Sequence, residues 1–86
     1  MKYSQYIQYA NLYSVSDMIS YRPFYQTLFK KGITEYYLIF KQGITASTLQ
    51  RIRHGKPMTT TTLNTLCEVL DCRVEDILEY VPDPEA

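Results

Sequence analysis

The stretch Ile44-Thr-Ala-Ser-Thr-Leu-Gln-Arg-Ile-Arg-His-Gly-Lys-Pro-Met58 decides the fold. It reads as one short helix with an opening cap, a narrow apolar seam and a glycine stop. Thr45 is placed to accept a hydrogen bond from an unpaired backbone N–H of the first turn. Leu49 and Ile52 lie three apart and share a face. Ser47, Gln50, Arg51 and His54 fall on the opposite side. Gly55 suits a left-handed helix end, and Pro57 prevents continuation. So short a helix is not stable alone. It must be held by neighbours through Leu49 and Ile52, leaving a polar, basic face outward.

Working outward, the chain divides by charge. The 86 residues have no net charge, with nine basic and nine acidic side chains. Residues 22–56 carry Arg22, Lys30, Lys31, Lys41, Arg51, Arg53 and Lys56 against Glu35 alone, a net of +6. Residues 57–86 carry Arg73 against Glu68, Asp71, Glu75, Asp76, Glu79, Asp83 and Glu85, a net of −6. A chain polarised in this way offers a footprint for a polyanion despite a neutral total. The basic half coincides with the presenting helix. A helix that projects polar and basic groups from a small scaffold fits the major groove of double-stranded DNA.

Three glycines and four prolines punctuate five expected helices. The first occupies 23–31, with Pro23 in its opening turn, Gly32 at its end and Phe24 and Leu28 as its core pair. The second opens at Thr34 and runs to Gln42 before Gly43, with Tyr36, Leu38 and Ile39 inward. Tyr37 and Phe40 are expected either exposed or covered by residues 1–17. The third is the presenting helix. The fourth opens at Thr59 and places Leu63, Leu66, Cys67 and Leu70 at helical spacing. The fifth spans 74–80, with Ile77, Leu78 and Val81 apolar. The Gly43-Ile-Thr45 link between the second and third helices is the short glycine-containing turn of a helix-turn-helix.

Other classes find little support. No apolar run approaches the roughly 20 residues of a membrane span, and no secretory leader is visible. Cys67 and Cys72 lack further Cys or His partners for a structural zinc, so they are expected reduced, in a cytoplasmic protein. The single His, with no cysteine–histidine pair, carboxylate dyad or glycine-rich phosphate loop, argues against an enzyme. No catalytic residue, metal, cofactor or small-molecule ligand is expected.

Residues 22–81 resemble the phage-repressor-like (Xre-type) helix-turn-helix domain. The resemblance rests on Gly32-Ile-Thr34, Gly43-Ile-Thr45, Thr48-Leu49 with Arg51-Ile52, and Gly55-Lys56-Pro57. It continues through Thr62-Leu-Asn-Thr-Leu-Cys-Glu-Val-Leu-Asp-Cys72 and Val74-Glu-Asp-Ile-Leu78. It implies an all-α, five-helix lambda-repressor-like DNA-binding domain with an N-terminal extension. By position, the third helix is similar to a recognition helix, so Thr45, Ala46, Ser47, Gln50 and Arg51 are its expected DNA-facing residues. Gln50 suits adenine, Arg51 guanine or phosphate, and Ala46 a thymine methyl. His54 and Lys56, with Arg53, flank the helix end and are expected near the DNA backbone. Thr34 and Glu35 open the second helix, whose N-terminus the resemblance sets against a phosphate. Glu35 departs from the pattern, because a carboxylate repels phosphate.

The resemblance implies a sequence-specific transcriptional regulator, a repressor acting by occupancy, bound as a homodimer to double-stranded DNA. The alternative is a protein-interaction module or antitoxin using the same fold. The expected organisation is an extension at 1–17, the DNA-binding domain at 18–81 and a loose tail at 82–86. The extension carries Tyr3, Tyr6, Ile7, Ala10 and Tyr13 as one stripe if helical. It is expected to pack on protein, a second subunit by preference. Met18 is an alternative natural start.

Overall fold

Polypeptide order along the chain follows local capping chemistry. The computed structural model describes residues 18–82. Strand β1 (Ile19–Ser20) leads into helix α1 (Arg22–Lys31), followed by α2 (Glu35–Gln42), α3 (Ala46–Arg53) and α4 (Thr60–Leu70). A single 3₁₀ turn, Val74–Asp76, precedes strand β2 (Glu79–Tyr80).

Three helices start by one device. The hydroxyls of Thr34, Thr45 and Thr59 accept from the N–H groups of Tyr37, Thr48 and Thr62 at 3.0, 3.1 and 3.2 Å. Each removes one unpaired donor from a first turn. α1 starts differently. Pro23 sits in its first turn, and the Phe24 N–H donates to the carbonyls of Tyr21 (3.0 Å) and Ile77 (3.1 Å). Helix α2 ends on Gly43 at φ 75°, in the left-handed region that a side chain resists. The Ile44 N–H then turns back to the Leu38 carbonyl at 2.9 Å, which sets α3 across α2.

The core gathers one or two side chains from every helix. Tyr21, Phe24, Leu28, Leu38, Ile44, Leu49, Ile52, Leu66, Leu70 and Ile77 are all buried. Leu49 and Ile52 are fully inside, as the seam of α3 requires. Burying such side chains contributes about 1.5–3 kcal/mol each. Within this packing α3 is held from beneath.

Two expectations fail. The first is the fifth helix: residues 74–80 form one tight turn and then a strand. The Asp76 carboxylate accepts the Arg73 N–H at 3.0 Å, closing the turn on itself. The next carbonyls are engaged by α1, with the Thr27 hydroxyl on Asp76 (2.7 Å) and the Phe24 N–H on Ile77. Pro82 also biases Val81 away from helical geometry. Extended instead, Glu79 and Tyr80 pair antiparallel with Ser20 and Ile19. The Arg22–Glu79 ion pair (3.1 Å) and a bond from the Val81 N–H to the Met18 carbonyl fasten the two ends together. The described chain therefore has four α-helices, a 3₁₀ turn and a two-stranded ribbon.

The second is Tyr36, expected inward but 66% exposed. Leu38 and Ile44 fill the space beneath α2, and the Tyr36 ring lies against Phe40 at 4.6 Å on the outer surface. Tyr37 and Phe40 are exposed as well. The tyrosine stripe of residues 1–17 lies outside the described residues, as do residues 83–86.

Candidate nucleic-acid interface

Helix α3 is eight residues long and holds two faces apart. Its inner face is Leu49 and Ile52. Its outer face exposes Ala46, Ser47, Gln50, Arg51 and Arg53, with His54 at the C-terminal cap. Two short-range bonds fix the end. The Gly55 N–H donates to Ile52 and the Lys56 N–H to Arg51, at 3.1 and 2.8 Å. Gly55 adopts φ 68° there and is buried, so the chain reverses tightly and brings Lys56 beside the helix.

That reversal collects five expected site residues. Ser47, Gln50, Arg51, His54 and Lys56 line one shallow groove. Arg51 is held within it: its guanidinium donates to the Pro57 carbonyl at 2.7 Å. A guanidinium has five N–H donors, so one such bond orients the group while others remain for a ligand.

Tyr21 supports the same loop from below, a role that the sequence reading missed. Its ring is fully buried and its hydroxyl donates to the Lys56 carbonyl at 2.8 Å. Burial raises the Tyr21 phenol above its ordinary pKa, with the Arg51 cation opposing. The phenol therefore remains a donor at neutral pH. Nothing in helical periodicity marks Tyr21, because it stands just before α1 and its partner is 35 residues away.

Thr45 and Thr34 serve as caps, so each hydroxyl already holds a backbone N–H. The Thr45 hydroxyl also meets that of Thr48 at 2.9 Å. Glu35 is turned toward α3, where it accepts from Arg53 at 2.9 Å. Tyr25 of α1 joins this pair. Burial, reinforced by the Glu35 carboxylate and opposed by Arg53, pushes its phenol up to about 12. Glu35 thus ties the start of α2 to the end of α3, and Arg53 is committed within the chain. Two of the seven cations counted between 22 and 56 are spent on carboxylates, Arg22 and Arg53. Lys30, Lys31, Lys41, Arg51 and Lys56 are all exposed.

No helix among the described residues is long and apolar enough to cross a membrane.

Comparison with known proteins agrees with the helix-turn-helix fold. A family model described as the Cro/C1-type HTH DNA-binding domain matches residues 26–83. Among solved structures, the chain is similar to the crystal structure of the transcriptional regulator VanUg, Form II. The two share 26% identity with a TM-score of 0.66, over 76% of this chain and 87% of that one. A search of curated proteins found no match.

Proposed function

Because the chain belongs to the Cro/C1-type helix-turn-helix DNA-binding family, we propose that it regulates transcription as a repressor, by occupying specific sites on double-stranded DNA. The observation that carries this reading is the outer face of α3. Ser47, Gln50, Arg51, His54 and Lys56 stand together over a helix anchored by two fully buried side chains. In this reading α3 enters the major groove. Gln50 pairs with an adenine edge, Arg51 with guanine, Ser47 with either, and Ala46 meets a thymine methyl. His54 and Lys56 approach phosphates, which position the protein without reading sequence. Thr34 and Thr45 act through the helix starts they cap, whose backbone N–H groups favour an anion.

Glu35 takes a different role from direct contact. Its carboxylate holds Arg53 and links the start of α2 to the end of α3. Glu35→Gln is expected to change stability by less than about 1 kcal/mol, since part-exposed ion pairs contribute little. It removes one negative charge near the DNA backbone and releases Arg53 toward phosphate. Affinity for unrelated duplex DNA should therefore rise several-fold, with a steeper salt dependence, measured by fluorescence anisotropy at several ionic strengths. Unchanged or weaker binding to unrelated DNA would show that Glu35 does not restrain the basic face.

One short reading helix gives limited discrimination, so a homodimer on two related half-sites is proposed. The exposed Tyr36–Phe40 pair supplies apolar surface suited to a protein contact. Residues 18–81 form the DNA-binding unit in this scheme, and residues 1–17 supply a subunit contact. Deleting residues 1–17 should lower the solution mass from dimer to monomer while half-site recognition persists. Retention of the full-length mass and thermal stability would show that the segment is dispensable. Selection from random duplex DNA tests the whole reading. It should enrich two-fold-related half-sites centred about 10 base pairs apart, or a multiple of that spacing. Failure to enrich any motif would remove sequence-specific reading.

A further inference from the structure

Cys67 and Cys72 lie outside the proposed DNA-facing surface, and both are free thiols. Their placement follows from how α4 ends. Asp71 adopts φ 52°, the left-handed conformation, without being glycine. The Cys72 N–H then donates to the Cys67 carbonyl at 3.0 Å, and the Asp71 N–H to the Glu68 carbonyl at 3.3 Å. Paired bonds of this kind bring together the side chains of the outermost two residues, which are usually apolar. Here both are cysteine. Standard backbone dimensions and that one hydrogen bond hold the two Cα atoms within about 7 Å. A disulfide bridges Cα atoms about 4.4–6.8 Å apart. Both residues are half-buried and line the same groove, together with Leu63, Asn64 and Val74. The groove is open to small solutes, and the Cys67 side chain lies close enough to act directly on the Cys72 thiol.

We propose that Cys67 and Cys72 form a reversible dithiol–disulfide site at the end of α4, oxidised by small hydroperoxides. The Cys67 sulfur, as thiolate, attacks one oxygen of hydrogen peroxide. The O–O bond breaks, the departing hydroxide takes up a proton as water, and a sulfenic acid remains on Cys67. The Cys72 sulfur then attacks the Cys67 sulfur. The S–O bond breaks, the Cys72 proton leaves with the hydroxide as a second water, and the S–S bond forms. The two sulfurs together lose two electrons, and the peroxide gains them. Burial, with Cys67 and Asp76 beside it and Lys31 opposing, pushes the Cys72 thiol up to about 11. A thiol whose ionised form is that disfavoured is a poor first nucleophile, so Cys72 takes the resolving part, its proton passing to the departing hydroxide.

The experiment treats the full chain with hydrogen peroxide, blocks remaining thiols by alkylation and maps the peptides by mass. Both cysteines should lose alkylation together, the intact chain should be lighter by two hydrogens, and dithiothreitol should restore both thiols. On a non-reducing gel the product should run as a single chain. In Cys67→Ser and Cys72→Ser the remaining cysteine should instead accumulate sulfinic acid or cross-link two chains. Peptide mapping of the unsubstituted chain is decisive even if a variant misfolds. Sulfinic acid on Cys67 with Cys72 still alkylated, or a disulfide between chains in the unsubstituted protein, would overturn the proposal. Neither outcome depends on the DNA-binding reading.

Discussion

Leu66→Ala is expected to lower stability by about 2–5 kcal/mol, the cost of deleting buried methyl groups and leaving a cavity. Leu66 is fully buried on α4 and belongs to the same core as Leu49 and Ile52 of α3. A domain of this size has a total stability of only about 5–15 kcal/mol, so the change removes a large share of it. The loss should appear in urea denaturation as a lower midpoint with an unchanged slope. The outer face of α3 depends on that core, so DNA affinity should fall in parallel wherever the variant is partly unfolded. A shift under about 0.5 kcal/mol, the scale of surface substitutions, would mean that α4 turns another side inward.

Arg51→Ala is expected to weaken specific DNA binding by about 1–3 kcal/mol while leaving the fold intact. Arg51 is exposed, so its removal leaves no cavity. Its guanidinium is already oriented by the Pro57 carbonyl at 2.7 Å. A group held in advance loses less freedom on binding, which concentrates its contribution in the contact. Arg51→Lys should recover little, because an ammonium does not reproduce the paired donors of a guanidinium on guanine. If Arg51 reads a base, the loss should fall at one position of the enriched motif. A loss spread evenly over all duplexes would assign it to phosphate. Full affinity in a folded variant would remove Arg51 from the interface.

The parts of this molecule that were legible in its sequence are those set by local chemistry. Thr34, Thr45 and Thr59 announce helix starts because a hydroxyl caps a turn only three residues ahead. Gly43 and Gly55 announce ends because their backbone is left-handed. Leu49 and Ile52 define the inner face of α3 and so, by subtraction, its outer one. The illegible parts depend on partners far along the chain. Residues 79–80 leave the helical path because residues 19–20 offer a strand, a pairing that spans most of the fold. Tyr21 and Lys56, or Glu35 and Arg53, meet only after the helices are assembled. Glu35 is the instructive case. Its charge beside an expected phosphate looked unfavourable, and its observed use is to restrain a cation of the same surface. Asp71 is another, since the end of α4 carries no glycine to mark it.

If the outer face of α3 reads DNA, the salt dependence of binding separates that role from mere attraction to a polyanion. Binding to the enriched duplex and to a scrambled one should be followed across ionic strength. On logarithmic axes both should fall linearly, each neutralised phosphate adding about 0.9 to the slope. The enriched duplex should remain the tighter at every salt concentration, because base contacts release no counterions. The contrary result is that of a face serving an acidic protein partner instead. Such a face would bind the two duplexes equally, or neither of them.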